Sequence, residues 1–368
     1  MKPFIYFDHA AATPPLPEVL AAHADLASRH IVNPHAGTRA SETVMQAICQ
    51  AEQRLLNRLG IPRSDAKVVW TSGGTEANNL AIRGFLAANP GIACAIDASA
   101  HDSQRAPCPP THQPMSVMAN GQIDLARLAD SAGSKQLAGI CHVNNETGVI
   151  QNLAAIRTVL PKAILAVDAA QSFTKLPIPW HEAQIDLLTL CGRKFGGPAG
   201  IAALVIRKGH SLQPILHGGG QQHGLRPGTL DTVGILEFVM AAEILLPRLD
   251  EMRKRFTGLN QQLRQGLLTP PWQTTLISPE TAAPHILAFS FPGFEGAILA
   301  RALAERGVVV GTGSACSAET GQPSHVAKAM GFDLKTARGM LRVSFGPEST
   351  TEDIDTLLRE LATVIKTY

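Results

Sequence analysis

Short β-branched runs alternate with amphipathic segments over the first part of the chain, the pattern of a mostly parallel sheet covered by helices. "AKVVWTS" (66–72) reads as a strand. "TEANNLAIRGFLAA" (75–88) follows, where Ala77, Leu80, Ala81 and Phe85 recur at helical spacing. "IACAID" (92–97), "QLAGICHV" (136–143), "AILAVDAA" (163–170), "IDLLTLC" (185–191) and "GIAALVIR" (200–207) read as further strands. The last two flank a glycine-rich turn and can pair as neighbours.

From residue 232 the texture changes. Residues 232–268 form one long helical pattern, interrupted only by Pro247. Strands follow at "HILAFSF" (285–291) and "MLRVSFG" (340–346), with a helix at 295–307 and another over the final segment "TTEDIDTLLRELATVIKTY". The expected division is a large domain over 13–250 and a smaller α+β domain made of 1–12 and 251–368.

Composition narrows the function classes. A chain of 368 residues suits two domains better than one core. Charged residues make up 17%, below the usual quarter or so, which leaves surface for an oligomer to cover. A net charge of +2 with no Lys/Arg block argues against a nucleic-acid partner. No stretch reaches the ~18 uninterrupted apolar residues of a membrane span. The opening "MKPFIYFDHAAATPPLP" lacks the apolar core of a signal peptide. The six cysteines are scattered, with no C-x-x-C and no His pair at zinc spacing. The expectation is a reduced, cytoplasmic protein without a metal.

Candidate chemistry gathers just after predicted strands, the edge where open α/β sheets bind ligands. "TSGGTEANN" (71–79) is a strand end, two glycines and a helix start. Gly74 and Thr75 there can cup a phosphate, although an ordinary capped helix has the same spelling. Asp168, at the end of an apolar strand, either pairs with a protonated ligand or caps a helix in a βα turn. Gln171 lies three residues on. Lys194 sits among glycines in "LCGRKFGGPAG" (190–200), after a strand buried by its composition. A surface lysine is the plain reading, and a partly desolvated Schiff-base amine is the chemical one. His101 and Asn145 mark two further strand ends. Together these residues supply a lysine, a carboxylate, an aromatic plate, amide donors and a phosphate cup, the five things pyridoxal 5'-phosphate needs.

"FDHAAATP", "TSGGTEANNLAIRG", "HVNNETG", "VDAAQS", "RKFGGPAG", "HGGGQQHGLRPGTL", "GSACS" and "LRVSFG" occur in the order found in cysteine desulfurases. The chain thus resembles that family, part of the class V aminotransferase group of pyridoxal-phosphate enzymes, from residue 6 to about 357. The resemblance implies fold type I, with a seven-stranded, mostly parallel sheet in the large domain and a smaller α+β domain carrying the cysteine loop. It implies Lys194 as the Schiff-base lysine, Asp168 as partner of the ring nitrogen, Gln171 on the phenolic oxygen and His101 stacked on the ring. Gly74 and Thr75 would bind phosphate, joined by Thr229 from the second subunit of a homodimer. Asn33, Asn145 and Arg342 would hold the carboxylate of L-cysteine. Cys316 would be the nucleophile that takes the sulfur as a persulfide for a protein acceptor.

Rival readings are a related selenocysteine or cystine lyase, an aminotransferase, or a non-catalytic relative serving as a regulatory subunit. The family usually has serine, a small residue, histidine and lysine at the Schiff-base turn. Here the turn is Cys191-Gly192-Arg193-Lys194. Arg193 is expected to replace the lost phosphate donors, since a thiol is a weak one.

Overall fold

The computed structural model describes residues 4–130, 136–269, 272–313 and 323–367. Strand β1 (Ile5–Phe7) belongs to the second sheet, taken below. The larger sheet contains β2 (Ala66–Thr71), β3 (Ala93–Asp97), β4 (Gln113–Met115), β5 (Gln136–Cys141), β6 (Ile164–Asp168), β7 (Leu187–Cys191) and β8 (Ala202–Arg207). Its order is β2-β8-β7-β6-β5-β3-β4. Only β8 runs against its neighbours. The C-terminal ends of β2, β3, β5, β6 and β7 therefore meet along one edge, and every candidate loop named above in this part of the chain starts there.

Every residue of β5, β6 and β7 is buried, which explains runs of apolar residues without alternation. The edge strand β4 carries Pro114 and escapes the sequence pattern; an edge tolerates the missing N–H. The helix expected over 75–88 forms as Gly74–Asn79, a π turn at Leu80–Gly84, and Phe85–Ala88. Gly84 is obligatory there, because a Cβ would meet the Gln213 carbonyl at 2.7 Å.

The long helical pattern resolves into two helices, Thr232–Leu245 and Leu249–Leu268, joined by a 3-10 turn across Pro247. The first packs on the large sheet. Its Phe238 ring meets Trp70 at 5.3 Å and Phe195 at 5.0 Å, both edge-on. The second contributes Met252, Phe256, Leu259 and Leu263 to a separate apolar cluster.

That cluster lies under a five-stranded sheet of order β1-β11-β12-β10-β9. Its other members are β9 (Thr275–Leu276), β10 (Ile286–Ser290), β11 (Val308–Thr312) and β12 (Met340–Ser344). The N-terminal β1 pairs parallel with β11, so the chain's first residues are built into the sheet formed by its last third. Helices Gly296–Glu305 and Thr351–Thr367 cover it. No helix of the described residues is long and apolar enough to cross a membrane.

Candidate active site

A cleft of about 280 Å³ opens where the strand ends of the large sheet face the N-terminal segment and β12. Gly74, Thr75, His101, Asn145, Asp168, Gln171, Lys194 and Arg342, singled out in the sequence, all line it. These positions are up to 268 residues apart (342 − 74), and the fold brings them together by setting the large sheet's edge against β12.

Lys194 ends the 3-10 turn Gly192–Lys194 that follows β7. Its Nζ donates to the carbonyls of Ala10 at 3.0 Å and Ala11 at 2.7 Å. Burial pulls the amine below the ordinary lysine range, helped by the Arg342 cation, while Cys191 and Asp168 pull the other way. The backbone carbonyl of Lys194 is held by Thr13 Oγ1 at 3.1 Å and by Lys175 Nζ at 2.7 Å. Such an amine keeps a neutral, nucleophilic fraction that an exposed lysine lacks.

Asp168 closes β6 and is buried. One carboxylate oxygen accepts from the Ala170 N–H at 2.9 Å and the other from Asn78 Nδ2 at 2.7 Å. Gln171 Nε2 donates to the Ala10 carbonyl at 2.8 Å. Its Oε1 is buried without a partner among the described residues.

Arg342, buried on β12, donates from one terminal nitrogen to the Asn145 carbonyl at 2.8 Å and pairs through the other with Asp8 at 2.6 Å. Its Nε is buried and unpartnered among the described residues. Gly311 on the adjacent β11 makes room, since a Cβ there would meet the guanidinium at 2.8 Å and Asp8 at 2.5 Å.

Cys191 also lines the cleft, against Gly74, whose backbone N–H donates to its sulfur. Burial nonetheless raises the thiol above the ordinary cysteine range. Arg193, by contrast, is exposed and does not line the cleft. Asn33 and Thr229 are likewise exposed and outside it. The segment carrying Thr229 is tied back by an ion pair between Arg226 and Glu76, at 3.0 Å, to the helix that opens with Gly74. Cys316 lies outside the described residues.

Sequence reasoning missed several cleft residues. Asn78 stands inside the quoted "TSGGTEANN", four positions after Gly74, so helical spacing alone could have placed it at the same mouth. Ser103 falls within "DASAHDS". Glu146, buried and pushed upward by that burial, accepts from Ser324 Oγ at 2.5 Å. His325 donates or accepts through Nε2 at the Ala100 carbonyl, 3.1 Å away; a carbonyl only accepts, so Nε2 carries hydrogen. Glu146 falls within the quoted "HVNNETG", whereas His325 has no local signature, and the contacts of both are distant in sequence.

The sequence profile of the aminotransferase class-V family matches residues 5–357. An IscS-like cysteine desulfurase of Mycobacterium tuberculosis is 31% identical over 383 residues, covering 97% of this chain and 95% of the relative. A cysteine desulfurase IscS of Clostridium botulinum is 31% identical over 382 residues, covering 100% and 95%. Among solved structures, a NifS-like protein superposes with a TM-score of 0.90 at 26% identity, covering 99% of this chain and 100% of that one. SspA in complex with cysteine superposes with a TM-score of 0.79 at 30% identity, covering 94% and 100%. With motif order, sheet topology and cleft in agreement over its whole described length, the chain belongs to the class V aminotransferases, in their cysteine desulfurase family.

Proposed function

We propose that this protein is a pyridoxal-phosphate-dependent cysteine desulfurase, converting L-cysteine to L-alanine and passing the sulfur through Cys316. The observation that carries the reading is the convergence of Lys194, Asp168, Gln171 and His101 on one cleft with Arg342 at its other wall. The family's cofactor fits these residues. Gln171 Oε1 and Arg342 Nε are buried polar atoms without partners among the described residues, on side chains that line the cleft. A desolvated amine and a buried carboxylate stand in the same space.

Pyridoxal phosphate, when bound, supplies the electron sink that lets a substrate Cα proton leave. Asp168 would hold the proton on the ring nitrogen, its carboxylate fixed by the Asn78 and Ala170 donors. Gln171 would bond the phenolic oxygen and His101 would cover the ring. Lys194 Nζ, freed on substrate exchange, takes the Cα proton, which its lowered basicity allows it to hold and return. Gly74 and Thr75 would receive the phosphate at the start of the helical rod 74–88, where the helix dipole favours an anion.

Arg342 offers Nε and one shared terminal nitrogen to the substrate carboxylate, with Asn145 beside it and Asn33 joining from the exposed rim. The thiolate of Cys316 attacks the substrate sulfur. The C–S bond breaks, an S–S bond forms, and the carbon takes a proton to become alanine. In a homodimer, Thr229 of one copy reaches the phosphate of the other; an acceptor protein then takes the sulfur. The changed turn leaves Arg193 to act from outside the cleft of a single chain.

Purified protein should be yellow and, with a reducing thiol present to cleave the persulfide, release equimolar sulfide and alanine from L-cysteine. Cys316→Ala should keep the visible band and lose sulfide release, whereas Lys194→Ala should lose the band. Full turnover by Cys316→Ala would refute the persulfide route, and a colourless wild type that does not respond to added cofactor would refute the reading altogether.

A further inference from the structure

Three short hydrogen bonds run from a carboxylate to an imidazole along the wall of the cleft. Asp168 Oδ2 accepts from Asn78 Nδ2 at 2.7 Å. The same amide nitrogen donates to Ser103 Oγ at 2.8 Å. Ser103 Oγ lies 2.8 Å from His101 Nδ1, and the Ser103 backbone N–H reaches that nitrogen at 3.1 Å. Asn78, Ser103 and Asp168 are buried, so water is a poor substitute for any broken link.

The direction of each proton follows from what each group can do. An amide nitrogen only donates and a carboxylate only accepts, so Asn78 spends one proton on Asp168 and the other on Ser103. Ser103 Oγ accepts from Asn78 and could still either donate to His101 or accept from it, so the backbone N–H of Ser103 decides the direction. The backbone N–H can only donate. Two donors thus meet at Nδ1, which has no room for a hydrogen of its own, and the ring proton sits on Nε2. Among the described residues no bond is made to Nε2.

We infer that Asn78 and Ser103 are positioning residues that lock His101 as its Nε2–H tautomer, making it a fixed hydrogen-bond donor and not a proton carrier. A hydrogen on Nδ1 would face two donors, so the relay holds Nδ1 as an acceptor and leaves Nε2 to donate. Proton traffic therefore falls to Lys194, while His101 stacks and donates. Holding an imidazole in one tautomer through its far nitrogen is a recurrent way to orient a catalytic ring. Other charged or titratable groups around the ring are Asp102 and Arg105 on the short helix Asp102–Arg105 that His101 caps, Cys141 on β5 and His325 opposite. None of them contacts Nδ1.

The role of His101 rests on the desulfurase reading, but the tautomer does not. Nitrogen-15 imidazole spectra of cofactor-free protein, with His101 assigned through His101→Gln, report it directly. Wild type should show the Nε2–H form as a single tautomer. Ser103→Ala and Asn78→Leu should give mixed tautomers, and Ser103→Thr, which keeps the hydroxyl, should restore the single form. In the holoenzyme the first two should lower kcat/KM about tenfold, the worth of one hydrogen bond. An Nδ1–H His101 in wild type overturns the inference. So does a tautomer left unchanged by both substitutions. Absence of sulfide release by wild type would sink the desulfurase reading and leave the spectroscopic result standing.

Discussion

Lys175 lies behind the cleft with its ammonium buried and one hydrogen bond, 2.7 Å to the Lys194 carbonyl. Burial first, then repulsion from Lys194, pushes it from 10.5 down to about 7, with Cys191 opposing. Between those two values the unfolded chain binds a proton that the native chain does not. Stability contributed here is therefore full above 10.5 and is lost as pH falls towards about 7. Evaluated at pH 9.5 and 7.5, the loss between the two is about 2.5 kcal/mol.

Lys175→Met keeps the length and flexibility of a side chain that lines a small cavity with Phe195, Phe256 and Phe345 but removes the titration. It also removes one hydrogen bond, worth about 1 kcal/mol, from a carbonyl that Thr13 still serves. At pH 7.5 the variant should be more stable than wild type by about 3 kcal/mol, and near pH 9.5 the two should coincide. Urea unfolding of cofactor-free protein at fixed concentration, followed at both pH values, gives the comparison. Parallel pH dependence in the two proteins would refute the reasoning. A Met variant weaker at pH 7.5 by the several kcal/mol of an emptied core site would do so as well.

His142 makes the corresponding case in acid. It is buried with Nδ1 2.9 Å from Ser172 Oγ, and burial lowers it from 6.5 to about 4. The unfolded chain takes up this proton first, so stability should fall by about 3 kcal/mol as pH drops through that window. His142→Gln should flatten the acid limb of urea midpoints, and an unchanged slope would remove His142 as its source. Cys191→Ser should tighten cofactor retention about three- to tenfold, because a hydroxyl facing the Gly74 N–H bonds a phosphate better than a thiol does. Adding Arg193→His tests the rest of the altered turn; dialysis followed by visible absorbance, with equal dissociation constants in all three proteins, would show that the turn does not limit binding.

The strands of the large sheet were legible because both of their faces are buried, which writes each as a continuous apolar run of β-branched and aliphatic residues. Edge strand β4 was not, being three residues long with a proline in the middle. The long helical pattern concealed a break that Pro247 marked but could not by itself prove, since a proline is tolerated at the start of a helical turn, as in the 3-10 turn Leu246–Arg248. The cofactor motifs were legible for a related reason: glycines, a lysine and a carboxylate placed just after buried strands are conspicuous against their apolar surroundings.

Local order of residues determined that these groups belong to one sheet edge. A strand's end follows from its own sequence, and a parallel sheet gathers such ends on one side. Only the tertiary structure decided how the groups address one another. Lys194 meets the carbonyls of Ala10 and Ala11, Arg342 meets Asp8, and Asn78 and Ser103 carry Asp168's orientation to His101. Each of these contacts joins polar atoms whose partners are chosen by burial and distance. A side chain's type states what it can bond, and the fold alone states which partner is within three ångströms.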